Sequence, residues 1–143
     1  MAYIKWTKTL AVNVKELDTQ HRNIIRAANE MLEAMSQGKG HKKYYSLIKH
    51  LETYIDEHFT LEETYMTRYG YKDFDDHKKE HEAFKVEFSK FRKQFEEEGS
   101  TTRLVIKTMS WMHEWLLDHV LSTDQKMVDF LKPEMKKDPR VKR

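Results

Sequence analysis

No proline occurs before residue 133: both prolines, Pro133 and Pro139, lie close to the C-terminus, and only four glycines precede them. Proline removes a backbone donor and clashes with the preceding turn, and glycine in a helix interior carries an entropic cost. Their scarcity leaves long stretches with nothing to stop a helix. The glycines fall at Gly38, Gly40, Gly70 and Gly99, dividing the chain into four segments of helical length.

Each segment places its apolar residues at alternating steps of three and four, the spacing of one face of an amphipathic helix. The first face is Leu17, His21, Ile24, Ala28, Met31 and Met35, ending near Gly38-Lys39-Gly40. The second runs through Tyr44, Leu47, Leu51, Tyr54, His58, Leu61 and Tyr65, with Glu62 beside it. The third is the most regular: Phe74, His77, His81, Phe84, Phe88, Phe91 and Phe95. Ser100, Thr101 or Thr102 can cap a fourth, whose seam is Val105, Thr108, Met112, Trp115 and His119.

Short connections between four such helices predict an all-α, antiparallel up-down-up-down four-helix bundle. An N-terminal arm precedes it, and a short C-terminal helix is expected through Phe130. A chain of 143 residues suffices for one core, so residues 1–131 are expected to form one domain. Residues 132–143 read as a basic tail containing Lys136, Lys137, Arg140, Lys142 and Arg143, either a solvated end or a docking patch for an acidic partner or a membrane.

Charge and cysteine content narrow the function. The 26 basic residues against 24 acidic ones give a net charge of +2, too even for a body that grips nucleic acid. The absence of cysteine removes disulfides, thiolate metal sites, iron–sulfur clusters and a cysteine nucleophile, so a bound metal must use His, Asp and Glu. Neither a signal peptide nor a stretch long enough to span a membrane is evident, which makes a cytoplasmic protein the expectation.

The histidines carry the strongest functional signal. Of eight, His41, His50 and His113 fall in a loop or off the seams, whereas His21, His58, His77, His81 and His119 sit on them. One buried histidine is ordinarily a hydrogen-bonded core residue, but five in a small core would leave polar groups unmet. In an antiparallel bundle, His21, His77 and His81 near the starts of their helices meet His58 and His119 toward the ends of theirs. At about 1.5 Å per residue all five fall within a couple of turns of the same end.

Two pairs, His58 with Glu62 and His77 with His81, stand four apart and project from one helical face as chelating pairs. Asp124 follows His119 by five, which on an ideal helix separates the side chains by about 140°. The helix is therefore expected to end or distort near Ser122-Thr123; the lesser alternative on local sequence makes Asp124 the N-cap of the C-terminal helix. Glu63 and Asp118 read as surface carboxylates.

Over nearly the whole chain, from Trp6 to about Phe130, the sequence resembles the hemerythrin family. The likeness rests on Asp18-Thr19-Gln20-His21, His58-Phe59-Thr60-Leu61-Glu62-Glu63, Gly70-Tyr71 leading to His77 and His81, and Trp115-Leu116-Leu117-Asp118-His119 followed by Asp124. It implies two non-haem iron ions with an oxo or hydroxo bridge. His77, His81 and His119 would bind one iron and His21 and His58 the other, with Glu62 and Asp124 bridging. Two octahedral irons offer about twelve positions, of which these groups fill all but one.

The open position, on the iron with two histidines, would take dioxygen, or azide and similar small anions as analogues. The resemblance further implies that Ile24, Phe59, Trp115, Leu116 and Val120 wall this position with apolar groups, excluding water and proton donors. The function expected is reversible dioxygen binding for transport, storage or delivery, with no catalytic residue. Two alternatives stand beside it: an oxygen or redox sensor or iron-handling module, and a di-iron enzyme acting on peroxide or nitric oxide. Five neutral imidazoles disfavour the enzyme, since carboxylate-rich sites better support highly oxidised iron.

Overall fold

The computed structural model describes residues 4–37, 41–99 and 101–140, and of these the side chains of all but residues 9 and 41–45. After a short 3-10 turn at Lys8–Leu10 come α1 (Lys15–Ser36), α2 (His41–Tyr69), α3 (Phe74–Glu98) and α4 (Thr102–Asp118). A six-residue π turn, His119–Asp124, then leads without a break into α5 (Gln125–Lys137). Helices α1 to α4 form the antiparallel four-helix bundle: α1 and α3 each pack against α2 and α4, and α5 returns onto α2.

Helix ends follow local chemistry. Gly70 (φ 69°) and Gly99 (φ 79°) end α2 and α3 with a positive φ, which glycine adopts without steric cost. At the first of these the Tyr71 amide bonds the Met66 carbonyl at 2.9 Å, closing a Schellman turn. The cap of α4 is Thr101, whose Oγ1 accepts the Leu104 amide at 3.1 Å. Ser100, the segment Gly38-Lys39-Gly40 and the end of the tail from 141 lie outside the described residues.

The arm is tied to α1 by polar contacts in both directions. Asp18, in the first turn, accepts the Val12 and Asn13 amides at 2.8 and 3.1 Å. Asn29 both accepts the Ile4 amide at 3.0 Å and donates to its carbonyl at 2.8 Å. Ile4, Leu10 and Val12 are thereby buried over the bundle.

The predicted seams of α3 and α4 face inward. That of α2 is rotated: Ile48, Leu51, Ile55, Phe59, Glu62 and Met66 are buried, while Leu47, Tyr54 and Leu61 are half-buried at the flanks, and the Tyr44 side chain lies outside the described residues. α2 has apolar residues on adjacent positions, so its periodicity admits either orientation until the neighbouring helices choose.

Helix α5 also runs further than Phe130. Met127, Val128 and Leu131 are fully buried and Met135 is packed on them, which holds the helix through Pro133 as far as Lys137. Beyond it Asp138 accepts from the Tyr69 hydroxyl and the Arg140 guanidinium, each at 2.8 Å, fastening the chain to the end of α2.

Candidate metal centre

All seven residues singled out from the sequence meet at one end of the bundle, and none is more than 2% exposed. His21 comes from α1, His58 and Glu62 from α2, His77 and His81 from α3, and His119 and Asp124 from the two ends of the π turn. The π turn explains the spacing of five. Widening the helix to an i→i+5 repeat brings Asp124 back to the face of His119, where an α-helix would turn it away. Asp124 itself has helical φ and ψ (−69°, −40°) and makes no capping bond, so it is not an N-cap.

The carboxylates sort the histidines into two sets. Glu62 Oε1 lies 3.1 Å from His77 Nε2 and 3.0 Å from His81 Nε2, and Asp124 Oδ1 lies 3.1 Å from His77 Nε2 and 2.9 Å from His119 Nε2. The other oxygens turn the opposite way: Glu62 Oε2 is 3.2 Å from His58 Nε2, and Asp124 Oδ2 is 3.2 Å from His21 Nε2. Each carboxylate thus gives one oxygen to a three-histidine set and one to a two-histidine set, and each set with both carboxylates has donor atoms within 4.8 Å of one another.

The polar atoms at this junction are poorly matched to each other. His21 Nε2, His58 Nε2, His119 Nε2, Glu62 Oε2 and both oxygens of Asp124 are buried without a hydrogen-bond partner. Unmet buried polar atoms cost about 1–3 kcal/mol each, a penalty that coordination removes. The nitrogen–oxygen separations are also those of neighbouring ligands, since an octahedron with bonds of about 2.1 Å has edges of about 3.0 Å. The donor set fits metal.

A ring of outer acceptors orients the imidazoles. His58 Nδ1–H donates to Gln20 at 2.8 Å, His81 Nδ1–H to Glu63 at 3.0 Å, and His119 Nδ1–H to Glu80 at 2.9 Å. Fixing the proton on Nδ1 aims the Nε2 side at the centre. The expectation that Glu63 is a surface carboxylate is corrected: it is half-buried and bonded to a site histidine. Glu80 was not legible as a site residue; its position one residue before His81 and three after His77 is the signal that could have marked it.

Burial opposes charge on His21, His58, His77 and His119, but the carboxylates outweigh it at all of these except His58. The neighbouring Asp124 and Glu62 carboxylates raise His77 to about 9, and His119 is raised well above its ordinary value by Asp124, Glu62 and Glu80. His58 goes the other way, lowered chiefly by its complete burial. For Glu62, burial acts upward, yet His58, His119 and His77 together hold the carboxyl well below the usual range. His77 is therefore held protonated at neutral pH in the metal-free cluster, and metal must displace its proton. Metal uptake at pH 7 should release at least one proton per chain, measurable with a pH indicator in weak buffer, and affinity should weaken as pH falls. Uptake without proton release would contradict this.

Beside the centre lies an apolar pocket of about 30 Å³, with room for a molecule the size of water or dioxygen. Ile24, Phe59, Trp115, Leu116 and Val120 all line it, together with His21, His58 and His119. Phe59 stacks on His81 and Trp115 on His119, with ring centroids 3.8 and 4.3 Å apart, so the wall also braces the imidazoles.

The off-seam histidines stay apart. His50 is exposed beside Tyr54 and His113 is exposed on α4, while the side chain of His41 lies outside the described residues. Replacing each of the three by alanine should leave metal content unchanged by elemental analysis. Loss of one full equivalent in any of them would refute the ligand set.

Fold and site together define an antiparallel helical bundle with a buried, cysteine-free cluster of histidines and carboxylates suited to binding metal. Residues 12–131 match the family described as the hemerythrin HHE cation binding domain, and the chain belongs to the hemerythrin family. It is 32% identical over 135 residues to the bacteriohemerythrin of Pseudomonas aeruginosa (strain UCBPP-PA14), covering 94% of this chain and 86% of that one. Similarity extends to the myohemerythrin of Theromyzon tessulatum, at 28% identity over 85% of this chain and 88% of the relative. A crystal structure of wild-type hemerythrin superposes with a TM-score of 0.78 at 27% identity, covering 91% of this chain and 98% of that one. No helix among the described residues is long and apolar enough to cross a membrane.

Proposed function

We propose that this protein binds dioxygen reversibly at two non-haem iron ions, serving as a carrier, store or delivery protein. The observation that carries the reading is the division of Glu62 and Asp124: one oxygen of Glu62 faces His77 and His81 and the other His58, while one oxygen of Asp124 faces His77 and His119 and the other His21. A single ion would need only one set. Shared carboxylates between two sets suit a bridged pair, in which they also offset the charge of both ions.

The iron pair, when bound, supplies the electrons that hold dioxygen. The chain's own residues do the rest. Gln20, Glu63 and Glu80 hold three imidazoles in orientation. The two-histidine set has fewer donors than its partner and borders the apolar pocket through His21 and His58, so a small neutral molecule in that pocket lies next to the less saturated metal position. The pocket's wall offers no acid, base or hydroxyl apart from the histidines themselves. Exclusion of water and proton donors favours release of dioxygen unchanged over its reduction, which supports a binding protein over an enzyme.

Elemental analysis and an optical spectrum of the reduced protein, before and after exposure to oxygen and again after purging with argon, test this reading. Two irons per chain and a spectral change that reverses on purging are expected. Zinc, a single ion or an irreversible change would overturn it.

A further inference from the structure

Sharing no lining residue with the apolar pocket, a polar cleft of about 280 Å³ opens between the start of α3 and the π turn. Asp73, Asp76 and Glu80 line it with Ser122, Thr123 and Lys126, and His77 forms its floor. His77 is only 2% exposed, and its Nε2 faces Glu62 and Asp124. Its Nδ1, across the ring and therefore on the side away from the centre, is buried without a hydrogen-bond partner. The other two rings of this set are tethered at Nδ1, His81 by Glu63 and His119 by Glu80. At the mouth, Lys126 Nζ pairs with Asp73 at 2.9 Å, linking α5 to the start of α3.

A hydrated cation gains nothing from the apolar pocket, where it would shed water with no replacement ligand. The cleft offers carboxylates on its wall and an unpaired imidazole nitrogen at its base. We propose that this cleft is the port through which a divalent metal ion reaches the centre: Asp76 and Glu80 hold the arriving cation, and the untethered His77 ring swings aside to pass it to Glu62 and Asp124. Ions and neutral gas then have separate approaches, the cleft at His77 and the apolar pocket at His21, His58 and His119. The proposal rests on the reading of the cluster as a metal centre.

The test is the rate at which metal-free protein takes up cobaltous ion. Trp115, stacked on His119, reports its arrival by fluorescence quenching in a stopped-flow instrument. Asp76 and Ser122 are exposed, so Asp76→Asn and Ser122→Trp alter the charge and the width of the cleft without touching the core. Each should slow uptake, by about five- to tenfold for the loss of a steering charge, while the final load stays at the parental value. Lys126→Ala, which removes the cation at the mouth, should speed it. Glu87→Gln makes the same charge change at an exposed ion pair with Lys90, further along α3, and should load at the parental rate. Parental rates in both Asp76→Asn and Ser122→Trp, or equal slowing by Glu87→Gln, would overturn the port alone. Failure of the parent to bind any cobalt would overturn the metal centre with it.

Discussion

Glu62→Ala and Asp124→Ala should each reduce metal content from the proposed two ions per chain to fewer than one. Both carboxylates serve both histidine sets, so the loss of either withdraws a ligand from each and leaves two cations facing one another with half their compensation. In the metal-free protein the same change removes a carboxylate partner from protonated His77, and breaking a buried ion pair costs about 3–5 kcal/mol. Asp118→Ala is the matched control, because Asp118 is exposed and its side chain makes no hydrogen bond or ion pair among the described residues. Glu62→Gln is more discriminating: the amide keeps an acceptor for one histidine set and presents a donor to the other, so one ion should remain. Elemental analysis with magnetic measurements on iron-loaded samples checks all four variants. A strongly coupled iron pair retained in both alanine variants would eliminate the bridging role.

Leu116→Ala should keep all seven ligands and lose protection. Leu116 lies one turn before His119, is buried, and lines the apolar pocket between Trp115 and Val120. Truncating a buried leucine costs about 2–5 kcal/mol, so the melting temperature should drop while iron loading stays complete. The enlarged pocket should admit water and anions to the two-histidine side. Autoxidation of the oxygenated protein and its reaction with azide should then quicken roughly tenfold, the lower end of what groups around a metal site contribute. Stopped-flow mixing with azide separates this from simple destabilisation, which shifts the melting curve but leaves the azide rate of folded protein unchanged. Parental rates in a fully loaded variant would make Leu116 ordinary core.

The legibility of the site varied with the element that carried it. In α3 the only apolar residues off the face of Phe84, Phe88, Phe91 and Phe95 are Ala83 and Val86, both exposed, so its buried face, with His77 and His81, followed from spacing. In α2, Leu47 and Ile48, then Tyr54 and Ile55, offer two seams one residue apart, and packing against α1 and α3 selected the one containing Ile48, Ile55 and Glu62. The outer acceptors were harder still. Gln20, Glu63 and Glu80 are polar residues at the edge of their helices, each of which serves a histidine from a different helix. No periodicity within one segment encodes a contact between two.

What the sequence by itself determined was the helical bundle and the convergence of five histidines at one end of it. Both follow from local rules: the 3-4 spacing sets each face, and the rise per residue with alternating direction sets each depth. Tertiary structure decided the rest of the centre. The spacing of five between His119 and Asp124 announced a distortion, but a π turn, rather than a helix end, was chosen because the chain must continue into α5, whose Met127, Val128 and Leu131 are buried in the core. The division of Glu62 and Asp124 between two histidine sets, and the one histidine in the larger set left without an outer acceptor, depend on side-chain directions in three dimensions. Those directions are set by neighbours distant in sequence, because a buried polar side chain turns toward whichever partners the packing of other helices brings within reach.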